Sequence, residues 1–329
     1  MAKKDNRYKF IYSPLFLGMS ALFFLTTSLL LSGANYSIQK VSQISILTGF
    51  LETQYLSTTV SVLLTLAVTG VTASIIHILN YRHFHTGKGS LVLIFLYLIF
   101  LFSSPETIFF NVNTIAAPLF LLSLYYTINP ANNHTNIFLA SILISIATLF
   151  DFHLLALIPF IFYYSLIKSS FSIRSLIIFV GATILPYLFL FSIRYIVFED
   201  ASLYAQILWQ KITTISVPHL NIDTVAHIIL FAFSLYIAYR AVYSILNKLR
   251  SLKIIKATAL LRFIVTAIVL TIIMLLNKEI KGEYMTLLAI PSAFIINEYL
   301  TSKKTDKNKR GEFLVLLIIL TLSRVAEFM

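Results

Sequence analysis

Residues 137–197 read IFLASILISIATLFDFHLLALIPFIFYYSLIKSSFSIRSLIIFVGATILPYLFLFSIRYIV, and this stretch decides the fold. Two short apolar segments, 137–150 and 153–167, flank a break at Leu149-Phe150-Asp151-Phe152-His153. Each is roughly 21 Å long at about 1.5 Å per residue, less than a full bilayer crossing. A basic turn from Lys168 to Arg174 follows, then a longer apolar run with Pro186 near its middle and Arg194 near its end. Backbone groups in hydrocarbon must pair within their own segment, so apolar runs of this length are helices rather than open sheet. An acid, a histidine and an arginine are expensive in such surroundings, which makes this stretch the first place to look for function.

Working outward, the same pattern fills the chain. Apolar segments occupy 14–32, 58–79, 90–103, 108–128, 137–150, 153–167, 175–197, 224–246, 259–276, 284–300 and 313–329. About 20 apolar residues cross a bilayer core, so 58–79, 108–128, 175–197 and 224–246 have the length, whereas 90–103, 137–150, 153–167 and 313–329 are short. The short ones tilt little, thin the bilayer, or stop part-way against other protein. Composition agrees: 58% of the 329 residues are hydrophobic, only 12% are charged, and mean hydropathy is +0.88. A soluble chain carries about 25% charged residues. The expected fold is an all-α, polytopic transmembrane helix bundle of about eleven membrane segments. It forms a single integral membrane domain over 1–329, with the first helix an uncleaved anchor.

Charge sets the orientation. Lys3, Lys4, Arg7, Lys9, Arg82, Lys88, Lys168, Arg174, Lys248, Arg250, Lys253, Lys256, Arg262, Lys303, Lys304, Lys307, Lys309 and Arg310 fall on one side, and only Lys40, Lys211, Lys278 and Lys281 in loops on the other. Basic residues stay in the cytoplasm, so the N-terminus is expected inside and the C-terminus outside. Glu52, Glu106, Asp151, Glu199, Asp200, Asp223, Glu279 and Glu283 then map to the outer side. The outer loops 33–57 and 198–223 have the makings of interfacial helices. The basic inner loops are 247–258 and 301–312, the first read as a surface helix on anionic lipid. This one-sided charge speaks for a membrane and against nucleic acid as the reason for a net charge of +12. The absence of cysteine leaves no disulfide framework and no thiolate metal site.

Several residues carry the chemistry. Asp151 is poised to bind a cation, pair with Arg194, act as a base, or simply cap the helix that follows, with His153 beside it. Arg194 either snorkels to outer headgroups while pairing with Glu199 or Asp200, or grips a lipid phosphate with its guanidinium fork. Glu298 is expected to pair with Arg240 or Arg262, and Gly70 with Ser74 to mark a close helix contact. His77, His83 and His85 lack a carboxylate or thiol companion, so no resident metal is assigned. Gly-rich phosphate loops, HExxH and GxSxG are absent.

Between Leu79 and Phe198 the chain resembles a family of bacterial polytopic inner-membrane proteins, some labelled beta-carotene monooxygenase. The likeness rests on Ser103-Ser104-Pro105-Glu106, the run from Asn111 to Tyr126, the break at Phe150, and Ile173-Arg174-Ser175 leading into Leu185-Pro186-Tyr187-Leu188. The four-histidine iron site of such an oxygenase has no counterpart here. The same stretch looks more loosely like the multi-span glycosyltransferases that use polyprenyl-phosphate sugars, where an acid in the first outer loop serves as base. Glu52 is the acid of that loop in this chain, and the family's paired acids are missing. The resemblance implies an envelope protein handling a lipid-linked substrate at the outer face. Glu52 or Asp151 would be base or divalent-cation contact, with Arg194 on the lipid phosphate and His153, Glu199 and Asp200 in support. The alternatives are a non-catalytic subunit or assembly factor bound to other membrane proteins, and a transporter using Asp151 and His153 as an ion relay.

Overall fold

The computed structural model describes residues 13–35, 57–84, 90–128, 134–168, 172–198, 201–202, 204–206, 209, 225–276, 282–301 and 307–326. Among them the chain is all-helical. The α-helices are α1 (Pro14–Asn35), α2 (Thr58–Leu79), α3 (Ser90–Leu101), α4 (Val112–Ile128), α5 (His134–Phe150), α6 (Ile158–Lys168), α7 (Ile173–Ile193), α8 (Val225–Leu246), α9 (Ile254–Leu276), α10 (Met285–Thr301) and α11 (Lys307–Ala326). Three helical stretches are long and apolar enough to cross a membrane: Thr58–Phe84, Ile173–Val197 and Ile254–Leu275. The described chain also holds shorter apolar helices of 10–17 residues.

Helix starts follow capping chemistry. Ser13, Ser57 and Ser172 each accept a backbone N–H three residues on through their hydroxyl oxygen, and Asn111 does the same for Thr114 through its amide oxygen at 2.8 Å. These bonds occupy donors that the first helical turn leaves orphaned. Inside the helices, Thr65, Thr72, Ser141 and Thr183 donate to carbonyls four residues back. A hydroxyl satisfied within its own helix needs nothing from its surroundings.

Cross-helix bonds fix register and direction. Ser123 donates to the Ala140 carbonyl at 2.8 Å, pairing α4 with α5, which follows it antiparallel. Ser145 donates to the Thr183 carbonyl, and Thr148 meets the Tyr187 hydroxyl, so α5 and α7 run parallel with α6 returning between them. Phe110 N–H donates to Ser61, placing the starts of α2 and α4 at one end; Arg82 donates to Tyr125, placing their other ends together. Phe84, Phe263 and Phe294 pack together at the second end, with Phe263 and Phe294 stacked at 4.2 Å.

The ends differ in charge. Arg82, Arg174, Lys248, Arg250, Lys253 and Lys256 gather at one, the basic end; Glu106 and Asp151 lie at the other, the acidic end. At the basic end Lys256 pairs with Glu298 at 2.6 Å, and Glu312 takes both Arg240 and the Tyr299 hydroxyl. Glu298 therefore pairs with neither base that the sequence suggested. Residues 247–258 form no separate surface helix: a short 3-10 turn, Leu249–Ser251, leads into α9, which begins at Ile254 and so carries Lys256 and Arg262 within it. Arg262, which lies within segment 259–276, is a buried helical residue. Gly70 meets nothing within 4 Å of where a Cβ would stand, and Ser74 merely donates to its carbonyl; that pair is no helix contact among the described residues.

Candidate functional site

α5 ends at Phe150, and Asp151 opens a 3-10 turn, Phe152–Leu157, before α6 begins. The Asp151 backbone is extended there, and its Oδ1 accepts from the His153 N–H at 3.0 Å. The same oxygen stands 2.9 Å from His153 Nδ1. Asp151 is only 5% exposed. Its other oxygen, Oδ2, is buried without a hydrogen-bond partner. Capping thus uses one oxygen and leaves the second available.

Depth follows from the register. Ser145 lies level with Thr183, so stepping equally along the parallel helices brings Asp151 level with Phe189. α7 continues beyond that level through a π-helical turn, Arg194–Phe198, for roughly 13 Å at about 1.5 Å per residue. Tyr195, Ile196 and Val197 on that extension are exposed and largely apolar. Exposed, largely apolar surface thus reaches past the level of Asp151, whose carboxylate is buried in the protein rather than in bulk solvent.

Other polar groups collect at this end. Ser123 is level with Ala140, and equal steps outward along the antiparallel pair bring Asn111 level with Phe152 and Asn113 with Phe150. Asn111, Asn113, Tyr284 and Thr286 are all buried. Asn111 Nδ2, Asn113 Oδ1, the Tyr284 hydroxyl and Thr286 Oγ1 have no hydrogen-bond partner among the described residues. Tyr284, in the 3-10 turn Gly282–Tyr284 that leads into α10, lies within electrostatic reach of the Asp151 carboxylate. Each buried group without a partner costs about 1–3 kcal/mol. A cluster of them calls for a water, an ion or a ligand polar group to complete it.

The turn that presents Tyr284 is held close to the one carrying Glu106. A Cβ on Gly282 would stand 2.9 Å from Ser104 Cβ and 3.1 Å from Glu106 Oε2, and closer still to Ser104 Oγ. Gly282→Ala is therefore expected to push the two turns apart and destabilise the protein by about 1–3 kcal/mol. Thermal unfolding in detergent measures it, and a midpoint equal to wild type would refute the close approach.

The other residues singled out in the sequence divide. His153 is part-buried against Asp151. Arg194 caps α7 and is 9% exposed, its guanidinium 4.5 Å from the centroid of the Tyr204 ring. Tyr204 itself packs on Leu149 and Leu190, so α5, α7 and Arg194 meet around it. The side chain that meets the Asp151 carboxylate is His153, not Arg194. Glu52, Glu199 and Asp200, and most of the loops 33–57 and 198–223, lie outside the described residues. Among the described residues no group of three or more acids and histidines is placed to hold a metal ion. Asn111, Asn113, Tyr284 and Thr286 carry no formal charge and sit near the starts of apolar segments; the Asn-x-Asn pair at 111 and 113 is a sequence signal that could have found the two asparagines, and Tyr284 and Thr286 have none. No protein-family model, curated protein or solved structure matches this chain.

Proposed function

We propose that this chain is a multi-pass protein of the bacterial inner membrane, N-terminus cytoplasmic and C-terminus outside, that handles a lipid-linked substrate at its extracytoplasmic end. The observation that carries this reading is the buried, partnerless Oδ2 of Asp151, set below an apolar rim with uncharged polar groups at the same end. Ionisable groups at such depth serve function by default. A carboxylate oxygen accompanied by hydroxyl and amide groups suits a hydroxylated headgroup. On the glycosyltransferase-like reading, Asp151 or Glu52 takes the proton of an acceptor hydroxyl as its oxygen attacks the sugar's anomeric carbon and the polyprenyl phosphate departs. Arg194 then holds that phosphate. A divalent cation contacting the same acids is the one cofactor this chemistry admits.

Profiling lipid-linked sugars and envelope glycans in cells tests the reading. Asp151→Asn and Arg194→Ala are expected to accumulate the lipid-linked donor and deplete its glycan, and Glu52→Gln to do so where that acid is the base. Unchanged pools in all three would end the proposal. One contact favours a second reading: the 2.9 Å link from His153 Nδ1 to Asp151 Oδ1 is the pairing an ion relay uses. Proton-coupled flux in proteoliposomes that vanishes in His153→Gln, with glycans unaltered, would select the transporter instead.

A further inference from the structure

Arg262 lies well inside α9, and among the described residues no acid meets it. Lys256, in the first turn of α9, binds Glu298; Arg262 is six residues deeper, about 9 Å along the axis. It is 4% exposed. Its Nη1 is buried without a hydrogen-bond partner, and its guanidinium lies 5.1 Å from the ring centroid of Tyr164 on α6. Of the acids at this end among the described residues, Glu298 is held by Lys256, and Glu312 by Arg240 and Tyr299. Rotation of α9 is fixed by the neighbouring residue, because Phe263 stacks on Phe294 with the rings 7° from parallel. The guanidinium lies on the α6 side, over the Tyr164 ring, while the acids at this end are taken by other partners.

A ring face repays only part of the hydration that a buried cation gives up. Donors left over on a guanidinium match an oxyanion, which the planar fork grips through two bonds. The approach is electrostatically prepared, since Arg250 and Lys253 are exposed at the same end and such a collar concentrates anions. We propose that Arg262 anchors a site for a phosphate-bearing anion entering from the basic, cytoplasmic end. The phosphate belongs either to an anionic phospholipid headgroup or to a free solute. This site lies at the opposite end of the bundle from Asp151 and stands whether or not the substrate reading above holds.

The test uses the full chain, purified in neutral detergent and stripped of lipid, with the thermal midpoint read against inorganic phosphate and, separately, phosphatidylglycerol in mixed micelles. Chloride at matched ionic strength and phosphatidylcholine are the controls. Wild type is expected to gain several degrees from phosphate or phosphatidylglycerol but not from the controls, and whichever acts names the source. Arg262→Gln should lose the shift, Arg262→Lys should need at least tenfold more ligand, and Asp151→Asn should respond as wild type does. A wild type indifferent to both phosphate sources overturns the site, even if Arg262→Gln fails to fold. So does an Arg262→Lys titration superimposable on wild type, which would leave Arg262 a structural cation on Tyr164.

Discussion

Phe294→Ala is expected to cost about 3–5 kcal/mol of stability, the usual penalty for emptying a packed aromatic site. Phe294 is 1% exposed, stacks on Phe263 at 4.2 Å and meets Phe84 at 5.3 Å. One ring therefore joins α9, α10 and the π-helical turn that ends α2. Lipid tails are as apolar as the core, so helices in a membrane hold together by close packing rather than by escape from water. A void at this junction forfeits contacts on three sides at once. Unfolding by dodecyl sulfate in mixed micelles gives the measurement. Phe189→Ala, on an exposed face of α7, provides the comparison and should stay within about 0.5 kcal/mol of wild type. Equal effects at the two positions would show that α9 and α10 do not pack through this ring.

Asp151→Asn is expected to raise the thermal midpoint while removing function, and Asp151→Ala to lower both. Asparagine keeps a side-chain oxygen where Oδ1 accepts the His153 N–H, so the 3-10 turn stays capped. It also removes a charge whose second oxygen is buried without a partner. Weakening the 2.9 Å contact between His153 Nδ1 and Oδ1 works the other way, but a single hydrogen bond contributes only about 0.5–1.5 kcal/mol net. Alanine forfeits the cap as well, a loss of about 0.5–2 kcal/mol. The expected order of midpoints is Asn, wild type, Ala. A site that holds an unsatisfied charge for its substrate sacrifices stability to do so. If the asparagine variant melts below wild type, the carboxylate is already satisfied inside the protein and is not waiting for a substrate.

Much of the helix layout was legible in the sequence. The segment read at 58–79 is α2, residue for residue, and the break at Asp151-Phe152-His153 is the 3-10 turn between two short helices. The misreadings share a cause. Segment 259–276 begins five residues early, at Ile254, because Lys256 joins the helix and is held by Glu298 on α10. Asn111, Asn113, Tyr284 and Thr286 passed unnoticed because an uncharged polar residue in an apolar run normally bonds within its own helix, as Thr65 and Ser141 do.

Run length, hydropathy and the lopsided placement of lysine and arginine come from the chain alone, since hydrocarbon demands long, internally hydrogen-bonded segments wherever they pack. Which polar atoms end up without a partner, and which cation keeps an acid, was decided only in three dimensions. Helices that are apolar on nearly every side carry no stripe to fix their rotation or register, so a few contacts such as Ser123 with Ala140, Ser145 with Thr183 and Phe263 on Phe294 set both.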